Sequence, residues 1–171
     1  MKSITFCFTL FITALAFGQI QRPMASPSAK VEQKVGLTDI KIEYYRPSKN
    51  NRTIFGDVVP LNETWRTGAN EAAELTLYTD MMLGSTKIEA GTYTFYLIPG
   101  DKKWTAIVST DLNVWGSYFY NEKNDVARVD VPVTKGKENL EAFSIAFEKS
   151  DNGIHMHIGW GTIRIAVPFT K

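Results

Sequence analysis

Side chains that could bind a ligand are concentrated in the stretch WRTGANEAAELTL, residues 65–77. The guanidinium of Arg66 is a planar fork of N–H donors that suits a carboxylate or sugar hydroxyls, and Asn70 and Glu71 follow it closely. Either the stretch is a structural corner in which Gly68 makes the turn and an acid neutralises Arg66, or Arg66 meets a ligand. The sequence favours the corner, because a buried charge must be paired whether or not a ligand exists. The candidate acids are Asp57, Glu63 and Glu71.

Two further arginines border the loop RPSKNNR, residues 46–52. Loops of this kind often carry function, so Arg46 and Arg52 could converge with Arg66 on one ligand. Three arginines at one place would repel each other unless acids or an anionic ligand neutralise them. The predicted ligand-binding residues are Arg46, Arg52, Arg66, Asn70, Glu71 and Trp115.

The segment NVWGSYFY, residues 113–120, contains aromatic side chains next to a glycine. Exposed, Trp115, Tyr118 and Tyr120 would form a surface on which sugar rings stack. Buried, they would be core packing with a hydroxyl at its edge. The sequence favours packing, since large aromatic side chains are mostly buried.

Metal-binding and catalytic motifs are few. His155 and His157 would lie on one face of a strand, a spacing that could supply two zinc ligands. The residues between and around them are apolar, so we expect both histidines on the outward side with no metal bound, and we expect no cofactor. The chain has no G-x-S-x-G, H-E-x-x-H or glycine-rich phosphate motif, and no catalytic residue is predicted.

Alternation of apolar and polar residues dominates the chain and predicts β-strands. In DIKIEYY, for example, Ile40, Ile42 and Tyr44 share one face. The runs GIHMHIGW and TIRIAVPF are predicted to form a final hairpin joined at Gly161. Roughly nine strands with polar outward faces require two sheets packed face to face. We therefore predict an all-β antiparallel β-sandwich, with a jelly roll or a partly closed barrel as the alternative.

The first residues have the pattern of a cleaved export signal. Lys2 precedes an apolar run at residues 4–17, and Ala16 and Gly18 are the small residues that a signal peptidase requires. Cleavage after Gly18 would place the mature protein in the periplasm or the medium. The predicted organisation is a signal peptide at residues 1–18, an extended lead-in at 19–30 and a single domain at 31–171.

The charge is nearly balanced, with 19 Lys and Arg against 18 Asp and Glu. This balance gives no electrostatic reason to expect nucleic acid or an anionic membrane as a partner. No apolar run after the signal approaches the length of a transmembrane segment. The only cysteine, Cys7, lies within the signal, so the mature chain must be stabilised by its core and not by disulfides.

Four stretches and the final tryptophan-containing hairpin add up to a family resemblance. The stretches are YYRPSKNNRTIFGDVVP, ETWRTGANEA, EAGTYTFYLIP and NVWGSYFY. Together they resemble the domain of unknown function 2911 family, which is common in exported proteins of Bacteroidetes-type bacteria. The resemblance extends from about Ser26 to Phe169 and implies a family, but no activity, cofactor or catalytic residue.

Three functions stay open at this level. The first is a non-enzymatic binding module for a small polar ligand, a glycan or a partner protein, which the sandwich pattern, the export signal and the arginine-rich loop favour. The second is a hydrolase acting on carbohydrate or ester substrates, because two carboxylates on a β-scaffold leave no local sequence motif. The third is a structural envelope protein.

Overall fold

A computed structural model describes residues 24–35 and 38–171. The predicted signal peptide lies outside the described residues. Within them the chain is built from ten strands and one short 3₁₀ helix, Glu122–Asn124. The strands are β1 (Ser28–Val35), β2 (Thr38–Tyr45), β3 (Ala73–Leu77), β4 (Met81–Leu83), β5 (Thr86–Ile88), β6 (Gly91–Ile98), β7 (Lys103–Ser109), β8 (Asp125–Pro132), β9 (Thr134–Ser150) and β10 (Gly153–Thr170).

The strands form two antiparallel sheets. One has six strands in the order β1-β2-β3-β6-β7-β8, and the other has four in the order β5-β4-β10-β9. The predicted all-β sandwich is therefore confirmed. In the described part of the chain, no helix is long and apolar enough to cross a membrane.

The core lies between the inner faces of the two sheets. Ile40, Ile42 and Tyr44 of β2 are buried, as the alternating pattern predicts. The hydroxyl of Tyr44 accepts a hydrogen bond of 2.9 Å from the backbone N–H of Ile145 on β9, and its ring meets that of Phe143 edge-on at 5.6 Å. Apolar burial and this hydrogen bond both join the sheets. Each fully buried isoleucine contributes about 1.5–3 kcal/mol to folding.

The predicted hairpin at Gly161 is wrong, because β10 continues through it as a single strand. The register of β10 against β9 shifts on both sides of Gly161, and its φ is 58°. Glycine's conformational freedom is used there for a bulge and not for a turn. The actual final hairpin is β9–β10, which turns at residues 151–152.

Three strands are not predicted by the sequence pattern. β4 and β5 have three residues each, too few to show a period of two. β1 begins at Ser28, inside the predicted lead-in, and its Ala29 and Val31 are only half-buried. As an edge strand, it needs less apolar surface than a central one.

Two long connections meet beside the six-stranded sheet. Residues 46–72 join β2 to β3, and residues 110–124 join β7 to β8. They are tied together by backbone hydrogen bonds from Ala72 N–H to the Val114 carbonyl (3.0 Å) and from Gly116 N–H to the Asn70 carbonyl (3.1 Å). The residues singled out in the sequence lie mostly on these two connections.

Candidate functional site

Trp65 anchors the stretch WRTGANE in the core and is only 7% exposed. Its backbone exchanges hydrogen bonds of 2.7 and 3.0 Å with Leu97 on β6, and its indole N–H donates to the Gly68 carbonyl at 3.1 Å. The indole contacts the rings of Phe55 (6.0 Å), Trp104 (6.4 Å), Phe143 (5.0 Å) and Trp160 (6.2 Å). The position of residue 65 is therefore fixed by both main chain and side chain.

The backbone after Trp65 is strained. Thr67 and Asn70 have φ angles of 58° and 56°, which β-branched threonine in particular rarely adopts. Gly68 has a φ of 149°, and a Cβ there would lie 2.7 Å from the Tyr45 carbonyl oxygen. Such conformations cost about 1–3 kcal/mol each and are found preferentially at functional sites. The predicted tight turn at Gly68 is present, and no larger residue fits there.

Arg66 has no acidic partner within the described residues. Its Nε is buried without a hydrogen-bond acceptor, and no ion pair includes its guanidinium. The internal pair predicted for Arg66 is therefore wrong for this part of the chain. Glu71 accepts a hydrogen bond of 2.9 Å from the Tyr45 hydroxyl instead, while Asp57 and Glu63 are exposed.

Arg66 lines an open cavity of about 390 Å³. Arg52, Glu63, Tyr118 and the buried Trp160 line the same cavity. We call this space the Arg66 cavity. Its charged lining residues are two arginines and one glutamate.

Gly116 brings the two connections into contact at this cavity. Its φ of 71° is one that residues with a side chain rarely adopt, and a Cβ there would lie 2.8 Å from the Tyr118 ring and 3.4 Å from Nη1 of Arg66. The tyrosine ring and the guanidinium are thus neighbours above Gly116. A single ligand can touch both.

The other two predicted arginines have acceptors. Arg46 donates from Nε to the Phe143 carbonyl (3.1 Å) and from Nη2 to the Ser144 hydroxyl (3.0 Å), which ties the start of the loop to β9. Arg52 donates to the carbonyls of Lys49 (3.1 Å) and Ser48 (2.7 Å). The structure thus brings Arg52 and Arg66 to one cavity and places Arg46 in a bracing contact outside its lining.

The aromatic residues of the 110–124 connection divide between surface and interior. Trp115, Tyr118 and Phe119 are 57%, 76% and 79% exposed. We call these three the aromatic platform. The packing interpretation is wrong for Trp115 and Tyr118, whereas Tyr120 is half-buried and donates a hydrogen bond of 2.7 Å to Asp125. Phe119 was not singled out by sequence, because nothing in a turn-rich segment shows which aromatic side chain faces water.

A polar cluster holds the end of the 110–124 connection against β8. Asp125, whose side chain is 6% exposed, accepts from the Tyr120 hydroxyl and lies 3.3 Å from Nε of Arg128. Asn124 donates a 2.6 Å hydrogen bond to Asp111 at the other end of the connection. Burial raises the pKa of Asp125, although Tyr120 and Arg128 counteract this. These contacts hold the 110–124 connection on the outer face of the sheet.

A second, acidic cleft of about 510 Å³ lies on the outer face of β1, β2 and β3. Glu43 and Glu74 are directly opposite one another in the β2–β3 register, and Glu71 lies beside them. Lys41 pairs with Glu43 at 2.8 Å. The cleft therefore contains three carboxylates. Glu43 is paired with Lys41, and Glu71 accepts a hydrogen bond from Tyr45.

The histidines lie on the face that the sequence predicts. Ile154, Met156, Ile158 and Trp160 are buried, and His155 and His157 point to the opposite side, with ring centroids 6.0 Å apart. His157 Nε2 lies 2.8 Å from a carboxylate oxygen of Glu148. Over residues 24–35 and 38–171, no group of three or more histidine, cysteine, aspartate or glutamate side chains is arranged to hold a metal ion.

The two antiparallel sheets, of six and four strands, make this an all-β sandwich protein. The chain belongs to the family described as "Protein of unknown function (DUF2911)", whose model matches residues 26–169. A comparison with curated proteins found no match, and a comparison with solved structures found none. The family is thus established, and its description assigns no activity.

The missing partner of Arg66 gives a stability prediction. We expect Arg66→Gln to unfold at or above the urea midpoint of the wild type, because it removes a buried donor that has no described acceptor, whereas loss of a buried ion pair would cost about 3–5 kcal/mol. Arg46→Gln is the matched control and should cost about 1–3 kcal/mol, because it leaves the Phe143 carbonyl and Ser144 without their donor. Urea unfolding of both variants measures the difference. An Arg66→Gln midpoint as low as that of Arg46→Gln would contradict the assignment.

The buried carboxyl of Asp125 gives a pH prediction. Because the folded-state pKa of Asp125 is raised, the wild type loses stability as pH rises through that pKa, and a neutral asparagine does not. The stability of Asp125→Asn relative to wild type should therefore increase between about pH 3 and pH 7. Asp130, whose pKa is lowered by hydrogen bonds from Lys103 and Thr105, should show the opposite trend when replaced by asparagine. Urea titrations at several pH values measure the free energy of unfolding of each variant relative to wild type. These two differences should change in opposite directions with pH; a change in the same direction would refute the prediction.

Proposed function

We propose that this chain is a binding module for a glycan, which it holds between the aromatic platform and the Arg66 cavity. The observation that carries the proposal is the exposure of the platform. Large aromatic side chains exposed on one connection favour an interaction site, and their flat faces pack well against the C–H faces of sugar rings. Of the three, Tyr118 also lines the Arg66 cavity. The proposal extends the family assignment, which names no ligand.

The platform is held in place before any ligand arrives. Its ends are tied by the hydrogen bonds from Gly116 to Asn70 and from Tyr120 to Asp125. A site that is already ordered loses less conformational entropy on binding than a mobile loop would. This supports a ligand-binding role over a purely structural one.

The Arg66 cavity supplies the polar part of the site. Its volume falls within the range of roughly 300–1,000 Å³ that is usual for small-ligand pockets. Arg52 and Arg66 can donate to sugar oxygens, and Glu63 can accept from hydroxyls. Aromatic faces beside a few polar groups are the combination that a glycan requires.

The other functional hypotheses have weaker support. The acidic cleft, with Glu43 opposite Glu74, is where the two carboxylates of a hydrolase would lie, but Glu43 is already paired with Lys41. A structural envelope role has no specific contact in its favour. We further propose, from the sequence of residues 1–18, that the mature chain acts in the periplasm or outside the cell.

The platform can be tested with an oligosaccharide array. We expect Tyr118→Ala to weaken binding roughly tenfold, because an anchor residue of this kind contributes about 1.4 kcal/mol. Tyr78→Ala is the matched control: Tyr78 is also exposed, but it follows the opposite end of β3. Equal weakening by both variants, or no wild-type binding, would contradict the proposal. Shortened oligosaccharides among the products would instead favour the hydrolase.

A further inference from the structure

The Arg66 cavity has an excess of positive charge that the described part of the protein does not neutralise. Its charged lining residues are Arg52, Arg66 and Glu63. No ion pair joins these three groups or links them to other described residues. A ligand entering the cavity therefore meets a net cationic surface, which favours an anion.

Arg66 differs from the other arginines that the structure describes. Arg46, Arg52, Arg128 and Arg164 all donate hydrogen bonds to carbonyl, hydroxyl or carboxylate oxygens. Arg66 alone among these five donates none, and its Nε is withdrawn from solvent. A buried donor without an acceptor typically costs about 1–3 kcal/mol. A ligand cannot reach the buried Nε itself, but the two Nη groups of Arg66 also have no described acceptor and are not withdrawn from solvent, so an external acceptor can reach them.

The neighbours of Arg66 in sequence hold its backbone in place. Trp65 before it and Thr67 after it are both buried, and Thr67 is held at a positive φ. The backbone of Arg66 is therefore held in place, and its side chain extends to Gly116, where Nη1 lies near the Tyr118 ring. A guanidinium without a described acceptor is available for bidentate recognition of a planar carboxylate.

From this geometry we infer that the bound glycan carries a carboxylate, as uronic and sialic acids do, and that Arg66 binds it while the sugar ring packs on Tyr118. The inference rests on the proposed function and specifies its ligand class. Neutral sugars would pack on the same aromatic side chains but would leave the Arg66 guanidinium without a carboxylate acceptor. The carboxylate thus determines specificity, and the aromatic rings supply contact area.

The test uses acidic oligosaccharides of uronate and sialate type, each paired with its own methyl ester, which keeps the shape and removes the charge. Calorimetry of the full mature chain should show the acid bound roughly 10- to 100-fold more tightly than the ester, as loss of a charged hydrogen-bonded contact implies. Arg66→Gln should bind acid and ester equally. Lys87→Gln, which removes the same charge on β5 outside the cavity, should keep the wild-type preference.

The outcomes separate the two proposals. Equal binding of acid and ester by the wild type overturns the carboxylate inference and leaves the glycan function standing. Preference for the acid that persists in Arg66→Gln overturns the role of Arg66. Binding of simple carboxylates such as acetate or succinate without binding of any oligosaccharide supports the anion site and overturns the glycan function. Absence of binding to every probe overturns both, and the wild-type comparison decides the inference even if Arg66→Gln fails to fold.

Discussion

The packing of Trp65 against four other aromatic rings is the constraint on which the rest of the site depends. Trp65 stacks on Trp160 from the four-stranded sheet with an interplanar angle of 14° and meets Phe143 edge-on, while its main chain pairs with Leu97 in the six-stranded sheet. Each aromatic contact contributes about 0.5–1.5 kcal/mol beyond burial of area. One residue therefore joins both sheets and fixes where the chain leaves the core.

The strained corner follows from that fixed point. After Trp65 the chain must pass close to the Tyr45 carbonyl and still return to β3 at Ala73, which explains the positive φ angles of Thr67, Gly68 and Asn70. Arg66 lies at the turn and has no described acid within reach. The core contacts of Trp65 offset the strain, and the result is a cation without a described acceptor beside an exposed aromatic ring.

The outer face of the six-stranded sheet carries the second half of the site. The 110–124 connection folds over this face, buries Tyr96 and part of Tyr120 with ring centroids 5.2 Å apart, and leaves Trp115, Tyr118 and Phe119 in water. The hydrogen bonds of Asp111 and Asp125 hold the connection at both ends. A connection tied at both ends that exposes aromatic side chains meets the requirement for a preorganised binding surface.

The sequence predicts most of this fold and less of the site. Alternation identifies long strands such as β2 because burial of one face enforces it, but it cannot reveal the three-residue strands β4 and β5, nor distinguish a bulge from a turn at Gly161. Whether Arg66 finds an acidic partner depends on which carboxylates the fold brings near it. Glu71, a candidate from the sequence, accepts a hydrogen bond from Tyr45 instead. The exposure of Tyr118 depends on how the 110–124 connection folds over the sheet, which no local pattern encodes.

The most direct test of the central claim is the rotation of the Arg66 guanidinium, measured by heteronuclear NMR on the ligand-free protein. A guanidinium without a protein partner rotates rapidly about its Nε–Cζ bond and gives averaged Nη signals, which should resolve and slow when an acidic oligosaccharide saturates the site. Slow rotation with resolved Nη signals in the absence of any ligand would show that the protein itself holds Arg66, and would contradict the account.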